Sequence, residues 1–389
     1  MAKVFLKKKI SDRISEGHPW VFRNEIGDIV GPCRNGDVVE VFSHLGSFVG
    51  RGFINLDAQI QIRILTHDNQ EIDAAFIQKR MKAAWAYRQQ LGITENCRLV
   101  HSEADGLPGL IIEKYNDYFV VQTLNAGIDF WKAEIVKILM DLFNPKGIYE
   151  RNDALVRTVE GLPIQKGFLS APFDTKITIL ENSVPIIVDL AHGTKTGYFL
   201  DRVNLRSEIK KLVKDAKVLD AFCYTGSYGI HAAVSGAKSV YGIDFLPEAI
   251  ALAKENSSIN KLENICNFEC KNAFDELKNL VKNGNKFDVV ILDPPTFVKN
   301  RESMDKAIAG YKEINLRAMK LLEPNGILVT STMSNFISRE LLIQTIKDAA
   351  KDAKKQIKQI YSGSQSPDFP ALWNMPNAEY FKSLIVQVL

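Results

Sequence analysis

The spacing of hydrophobic positions changes twice along the chain, and each change marks a different kind of predicted structure. Over residues 1–71, β-branched and apolar residues alternate or cluster in short runs, and glycines separate these runs. The runs are Val38–Phe42, Phe48–Ile54 and Gln59–Leu65. This pattern predicts a small all-β domain, either a barrel or a sandwich.

Residues 72–185 have a mixed pattern. Apolar residues fall at helical spacing between residues 72 and 92, among lysines and arginines. Strand-like runs follow at Gly109–Glu113 and Tyr118–Gln122, and a second helix is predicted around Trp131–Phe143. A helix between pairs of strands is typical of an α+β module, so we expect a central mixed domain here.

Residues 186–389 alternate apolar strands with helices. The predicted strands are Lys217–Asp220, Ser239–Asp244, Ile265–Glu269, Phe287–Asp293 and Gly326–Ser331, followed by a helix from Arg339 and a final strand, Ser383–Leu389. Such alternation predicts a doubly wound, mostly parallel sheet with helices on both faces. The expected fold class is therefore α/β, with a Rossmann-like sheet in the C-terminal part.

Composition narrows the class of protein. The chain has 389 residues, of which 46% are hydrophobic and 24% charged, so wholesale disorder is excluded. The net charge of +3 is compatible with a nucleic-acid partner but does not argue for one. There is no apolar run of about 18 residues and no secretory pattern at the start. Cys266 and Cys270 lack companions at zinc-ligand spacing. We expect a cytoplasmic protein with reduced thiols, no membrane span and no metal.

Polar signals follow the first two strands of the predicted sheet, where ligands bind in such folds. Asp220–Gly229 is a strand-to-helix turn containing Gly226, and glycine lets the backbone approach a ligand closely. Asp244 ends the next strand, where a carboxylate can accept the hydroxyls of a ribose. Each signal has a structural alternative, since the turn could serve packing and Asp244 could cap a helix.

Two further signals follow the third and fourth strands. Asn272 could pair with an adenine edge, although an amide alone is a weak signal. Asp293 is followed by two prolines, which stiffen the turn and present the carboxylate at one place. A nicotinamide dehydrogenase would use the first two signals equally well. However, the turn is not G-x-G-x-x-G, and the Asp-Pro-Pro segment would then have no role.

These segments resemble the successive motifs of class I S-adenosylmethionine-dependent methyltransferases. With the additional segments Gly17–Ile26, Lys195–Arg202, Pro367–Pro370 and Ala378–Lys382, the chain resembles the RlmI-type ribosomal RNA methyltransferases over its whole length. The resemblance implies an N-terminal PUA domain that binds RNA and a Rossmann-like catalytic domain whose last strand runs antiparallel. It also implies S-adenosylmethionine as cofactor, large-subunit ribosomal RNA as substrate, and a homodimer.

The resemblance further implies the residues of the site. Lys195 and Asp293 are predicted to be catalytic. Cofactor contacts are predicted for Thr196, Gly197, Tyr198, Phe199, Leu200, Asp220, Phe222, Tyr224, Thr225, Gly226, Asp244, Phe245, Asn272, Ala273, Asp293 and Pro294. Substrate contacts are predicted for Arg202, Pro295, Phe297 and Lys299. Phe297 could instead be a core residue, and Lys195 and Arg202 could contact phosphate or pair with local acids.

One departure from the family concerns the chemistry. Members that make 5-methylcytosine carry a cysteine after the fifth strand, because a thiolate must add to carbon 6 before carbon 5 can react. Here that segment holds Met333, and the other cysteine position used in related enzymes holds Thr296. Cys223 is a poor substitute, since it is expected on the cofactor side of the crevice.

The segment after Asp293 resembles instead the related enzymes that methylate N7 of guanine. This nitrogen has a free lone pair and no proton, so its methylation needs positioning rather than a nucleophile or a base. We therefore predict an RNA base methyltransferase without a covalent step. Two alternatives stay open: a 5-methylcytosine enzyme with an unrecognised thiol, and an RNA-binding protein whose methyltransferase fold has lost catalysis.

Overall fold

The computed structural model describes residues 1–8, 13, 14, 16–298, 301–375 and 378–389. Its contacts divide the chain into two units, each with its own core. The first unit comprises Met1–Ile177, Val188–Leu200 and Pro367–Ala378, and the second comprises Thr178–Ile187, Asp201–Ser366 and Glu379–Leu389. The predicted domain boundaries after residues 71 and 185 stay predictions.

The first unit begins with a six-stranded sheet, as the N-terminal pattern predicts. Its strands are β1 (Lys3–Leu6), β2 (Trp20–Phe22), β3 (Ile26–Val30), β4 (Val38–Phe42), β5 (Phe48–Ile54) and β6 (Ile60–Thr66). They lie in the order β2-β6-β5-β4-β1-β3. Alternate residues such as Val39 and Val41 are fully buried, so one face of the sheet forms the core of an all-β module.

A five-stranded mixed sheet follows in the same unit. Its elements are α1 (Ala74–Gln90), β7 (Asn96–His101), β8 (Leu110–Tyr115), β9 (Tyr118–Thr123), α2 (Ala126–Phe130), α3 (Lys132–Phe143), β10 (Gly147–Asn152), α4 (Val156–Val159) and β11 (Gln165–Phe168). The order is β11-β10-β9-β8-β7, with β9 and β10 parallel. Phe53 and Leu65 of the preceding sheet share a hydrophobic cluster with Phe76 and Ile77 of α1, which explains why the two sheets belong to one unit.

Next come β12 (Lys176–Glu181) and β13 (Val184–Asp189), which form a two-stranded sheet. The second unit continues with α5 (Val203–Lys210), β14 (Lys217–Ala221), α6 (Ser227–Val234), β15 (Ser239–Asp244), α7 (Pro247–Ile259), β16 (Cys266–Cys270), α8 (Ala273–Lys282), β17 (Phe287–Leu292), α9 (Met304–Leu321), β18 (Leu322–Thr332), α10 (Arg339–Asp352), β19 (Ile357–Ser364) and β20 (Lys382–Val388). Within the described ranges, no helix is long and apolar enough to cross a membrane.

The second unit is built on a seven-stranded sheet in the order β16-β15-β14-β17-β18-β20-β19. The strands β14 to β18 are parallel, and β20 runs antiparallel to β18, with Ile327 opposite Gln387. This confirms the predicted doubly wound fold and its antiparallel final strand. The strand order reverses at β14, whose Ala221 pairs with Leu292 of β17. The residues that follow these two strands therefore meet at the switch point, where such sheets bind ligands.

Candidate active site

The turn between β14 and α6 has an unusual backbone. Phe222, Tyr224 and Gly226 all adopt left-handed conformations, with φ of +66°, +50° and +77°. Glycine is required at the last position, because a Cβ there would lie 2.8 Å from the ring of Phe268. The other two are bulky residues, for which this conformation is strained, and such strain is concentrated at functional sites.

Asp244, at the end of β15, holds this turn from the neighbouring strand. Its Oδ2 accepts a hydrogen bond from the backbone N of Tyr224 at 2.9 Å, and its Oδ1 accepts one from Leu246 N at 3.1 Å. Each carboxylate oxygen has a second lone pair, so Asp244 can still accept ligand hydroxyls. The next residue, Phe245, has 59% of its surface exposed and offers an aromatic face beside this carboxylate.

Three buried polar atoms in the segment 220–228 have no hydrogen-bond partner within the described part of the chain: Asp220 Oδ1, Thr225 Oγ1 and Tyr228 OH. Such orphaned atoms are rare in native proteins, because each one costs desolvation free energy. Their concentration around one strained turn indicates a place for a polar ligand. Tyr228 was not among the residues predicted for the site, because an aromatic residue in an apolar helix is normally a core residue.

Asp220 is fully buried, and its Oδ2 accepts a hydrogen bond from Gly229 N at 2.9 Å. Burial, together with the negative charges of Asp293 and Asp244, raises the pKa of Asp220 to about 8, against the opposing effect of the Gly229 bond. A cationic ligand next to this carboxyl would favour its ionised form.

Asn272 acts as the N-cap of α8. Its Oδ1 accepts hydrogen bonds from Phe274 N at 2.9 Å and Asp275 N at 3.3 Å, which accounts for an amide at this position. Ala273 beside it is buried. The backbone N of Lys271 donates to the carbonyl of Asp244 at 2.8 Å, so the cap lies at the end of the strand next to the strained turn. The predicted contact of Asn272 and Ala273 with adenine stays a prediction.

Asp293, directly after β17, is held by a buried ion pair. Its Oδ2 accepts a hydrogen bond from Arg202 Nε at 2.5 Å, and its Oδ1 accepts one from Ser331 Oγ at 2.5 Å. Arg202 also donates from Nη1 to Asp201 Oδ1 at 2.8 Å. Burial disfavours the guanidinium charge, but the carboxylates of Asp293 and Asp201 outweigh it and raise the pKa of Arg202. Of the two alternatives for Arg202, the structure shows pairing with local acids.

Met333 belongs to the same cluster. Its sulfur lies 3.6 Å from Nη2 of Arg202, and the ring of Phe381 lies 4.9 Å from the guanidinium carbon. Tyr380 OH donates to Asp201 Oδ2 at 2.8 Å. A thioether thus lies beside a fixed cation at the position where the resemblance in sequence would imply a cysteine for cytosine modification. The segment Tyr380–Phe381 was part of the recognised closing motif, but its partner could not be identified from sequence.

Cys223, in the strained turn, is buried, and its sulfur lies 3.7 Å from the carbonyl oxygen of Tyr224. Burial, together with the negative charges of Asp220 and Asp244, raises the pKa of the Cys223 thiol well above its ordinary value. The thiolate, which is the nucleophilic form, is therefore strongly disfavoured.

The segment after Asp293 is partly buried. Pro294 is buried and Pro295 is exposed. The ring of Phe297 lies 4.6 Å from that of Tyr311 and 5.5 Å from that of Phe274, between ring centroids. Phe297 thus has the contacts of a residue packed against the core, and its stacking on a base stays a prediction. Lys299 lies outside the described residues.

The predicted contacts Lys195, Thr196, Gly197, Tyr198, Phe199 and Leu200 all belong to the first unit. They form an irregular loop in which Thr196, Tyr198 and Leu200 are buried and the amine of Lys195 lies 5.0 Å from the ring centroid of Phe199. Their part in cofactor binding and the catalytic role of Lys195 stay predictions.

The sheet order, the glycine turn after its first strand and the acid after its second define the class I methyltransferase fold. A family profile agrees with this, since a methyltransferase domain matches residues 212–374. A second profile, a PUA-like domain, matches residues 4–67. Among solved structures, SMU.776, a protein assigned as a methyltransferase and complexed with SAH, superposes with a TM-score of 0.85 at 20% identity, with 100% of each chain covered. A protein from Streptococcus mutans, assigned as a SAM-dependent methyltransferase, gives a TM-score of 0.84 at 19% identity, again covering 100% of each chain.

Sequence relatives identify the family. The ribosomal RNA large subunit methyltransferase I of Pseudoalteromonas atlantica is 39% identical over 378 residues, which are 96% of this chain and 95% of that protein. Its counterpart in Shewanella denitrificans is 38% identical over 394 residues, 99% of each. The chain belongs to the ribosomal RNA large subunit methyltransferase I family, as the resemblance in sequence predicts.

Proposed function

We propose that this protein transfers a methyl group from S-adenosylmethionine to a base of large-subunit ribosomal RNA without a cysteine-linked intermediate. The observation that carries the proposal is the cluster at the end of β17, where Asp293 is ion-paired with the buried Arg202 and Met333 lies beside that cation. The names of the relatives support the choice of RNA, and the match to a PUA-like domain is compatible with it.

The residues around the strained turn fit the cofactor. The orphaned atoms of Asp220, Thr225 and Tyr228 offer hydrogen-bonding capacity that the described chain leaves unused, and Asp244 can accept ribose hydroxyls. S-adenosylmethionine supplies, when bound, an electrophilic methyl group on a positively charged sulfur. The buried carboxyl of Asp220 is suited to a cationic ligand, since ionisation of this group and binding of the cation favour each other.

The target atom that we favour is N7 of guanine. Methylation at carbon 5 of cytosine needs a thiolate. The Met333 thioether cannot supply one, and burial disfavours the thiolate of Cys223. A lone pair at N7 needs only alignment with the methyl group. The carboxyl oxygens of Asp293, paired with Arg202, can accept a hydrogen bond from an exocyclic amino group and so orient the base.

The test is identification of the product. The protein is incubated with labelled S-adenosylmethionine and large-subunit ribosomal RNA that lacks modifications, and labelled nucleosides are identified by mass spectrometry. We expect 7-methylguanosine, with unchanged yield from a Cys223→Ser variant. Labelled 5-methylcytidine that disappears in Cys223→Ser would contradict the proposal and support the thiol mechanism. Cofactor binding without any labelled product would support the RNA-binding protein without catalysis.

The resemblance to the family also supports proposals about the location of the enzyme in the cell and about its oligomeric state. We propose that the enzyme acts in the cytoplasm, where ribosomal RNA of the kind named for its relatives is found, and that it forms a homodimer. Sedimentation equilibrium of the purified chain tests the second part, and a mass equal to the 43.7 kDa of one chain at all concentrations would contradict it.

A further inference from the structure

The peptide group between Thr225 and Gly226, inside the strained turn, is fixed on both sides. Its N–H, that of Gly226, donates to the carbonyl oxygen of Cys223 at 2.8 Å. Its carbonyl oxygen, that of Thr225, accepts a hydrogen bond from Nδ2 of Asn256 at 3.1 Å. Because a peptide group is planar, these two bonds fix its orientation, which depends on ψ of Thr225 and φ of Gly226. The bond from Asn256 therefore helps to hold Gly226 in its left-handed conformation.

Asn256 lies on α7 and is fully buried. Its Oδ1 accepts a hydrogen bond from the backbone N of Ile187 at 2.7 Å, in the part of β13 that belongs to the second unit. The orientation of the amide is unambiguous, since its oxygen faces a donor and its nitrogen faces an acceptor. This one side chain therefore joins the strained turn to the hairpin of β12 and β13.

The hairpin of β12 and β13 is itself fixed within the second unit. Glu181, at the end of β12, is buried, and its Oε2 accepts a hydrogen bond from Nη2 of the buried Arg206 on α5 at 2.7 Å. Asn260, which ends α7, donates from Nδ2 to the carbonyl oxygen of Pro185 on β13 at 2.8 Å. The hairpin is thus a fixed support, against which Asn256 can hold the turn.

We propose that Asn256 is a positioning residue for S-adenosylmethionine, acting through the backbone of the turn and without contact to the cofactor. This rests on the proposed function, in which the strained turn binds the cofactor. Phe222 and Tyr224 have positive φ, so the turn does not keep its shape by local preference. Without the amide of Asn256, fewer molecules hold the turn in the correct conformation. A smaller competent fraction raises the apparent dissociation constant in proportion.

The experiment compares Asn256→Ala with Asn315→Ala as the matched control. Asn315, on α9, is also a fully buried asparagine, and its Nδ2 donates to the carbonyl oxygen of Tyr311 at 2.7 Å. The bond that this control loses lies within its own helix. Asn256→Asp is the second variant, since its ionised carboxylate keeps the acceptor for Ile187 N and lacks the donor for Thr225.

Two quantities are measured on the full chain, under conditions where urea denaturation shows every variant to be folded. The first is backbone amide exchange of residues 222–228 without cofactor, and the second is the dissociation constant of S-adenosylmethionine by calorimetry. We expect Asn256→Ala to speed exchange in the turn and to raise the dissociation constant about tenfold, as follows from losing one buried hydrogen bond. Asn256→Asp should shift both quantities in the same direction, and it decides alone if Asn256→Ala does not fold. Asn315→Ala should leave both as in the wild type.

The proposal would be overturned if either quantity in the Asn256 variants equalled that of Asn315→Ala. Failure of the proposed function gives a different result: the wild type binds S-adenosylmethionine, the Asn256 variants bind it less tightly, and ribosomal RNA is not methylated by any of them. A wild type that does not bind S-adenosylmethionine would refute the cofactor site and the positioning role together.

Discussion

Replacement of Arg202 by methionine is the most direct test of the cluster that holds Asp293. The guanidinium contacts Asp293 at 2.5 Å and Asp201 at 2.8 Å, and at most 9% of any of the three side chains is exposed. Removing the cation leaves two buried carboxylates without their countercharge. Breaking a buried pair in this way costs about 3–5 kcal/mol. At about 2–4 °C per kcal/mol for a domain of this size, Tm should fall by roughly 10 °C.

The assay is thermal and urea denaturation, each monitored by circular dichroism, with Arg317→Met as the matched control. Arg317 pairs with Glu313 at 2.6 Å and donates to the carbonyl of Phe274 at 2.5 Å, but 21% and 44% of the paired side chains are exposed, so the loss should be smaller, about 1–2 kcal/mol. The double variant Arg202→Met/Asp293→Asn should recover part of the stability, because one of the uncompensated charges is gone. An Arg202→Met variant that is no less stable than Arg317→Met would refute the reasoning.

Three further predictions concern the turn and the thiols. Gly226→Ala places a methyl group 2.8 Å from Phe268 in a left-handed conformation, so urea denaturation should show a loss of about 2–3 kcal/mol, and a loss under about 0.5 kcal/mol would contradict this. The pKa of Asp220 is about 8 in the fold against about 3.9 when unfolded, so the folded state holds an extra proton between these values and stability falls as pH rises. Between pH 6 and 8 the wild type should lose about 2 kcal/mol relative to Asp220→Asn, and a constant difference would show that the carboxyl titrates normally. A thiol reagent should modify the exposed Cys270 in the native protein but Cys223 only after unfolding. Modification of Cys223 in the native protein, detected by peptide mapping, would show that this thiol is reactive in the fold.

The fold of the second unit was predictable because its parallel strands are buried on both faces. Such strands appear in the sequence as continuous apolar runs, and Phe287–Leu292 differs from its prediction by one residue. The strand β19, Ile357–Ser364, was not predicted, because its residues are largely polar and most of its positions are exposed or half-buried. Its conformation depends on pairing with β20, a partner that no local pattern reveals.

The site was predictable where it follows strand ends and unpredictable where it depends on distant partners. Three parts of the site could be located from sequence: the turn at Gly226, the acid Asp244 and the acid Asp293. They follow parallel strands, which bring their carboxyl ends to one edge of the sheet. Arg202 could not be assigned between phosphate and local acids, since a charged residue looks the same in sequence whether it is buried or exposed. Its partner Asp293 lies 91 residues further along the chain.

The central sheet shows that a distant partner of this kind can be inferred from charged residues at buried positions of a strand. Every residue of β10 is buried, although the strand contains Glu150 and Arg151. Charged side chains in a strand covered on both faces must be paired, because an unpaired buried charge is too costly to persist. Arg151 meets this requirement with carbonyl groups of the Leu190–Leu200 loop, and Glu113 meets it in part with Thr196, 83 residues away. In this chain, the buried charged residues Arg151 and Glu113 thus indicate a distant segment, the Leu190–Leu200 loop, that the central sheet holds in place.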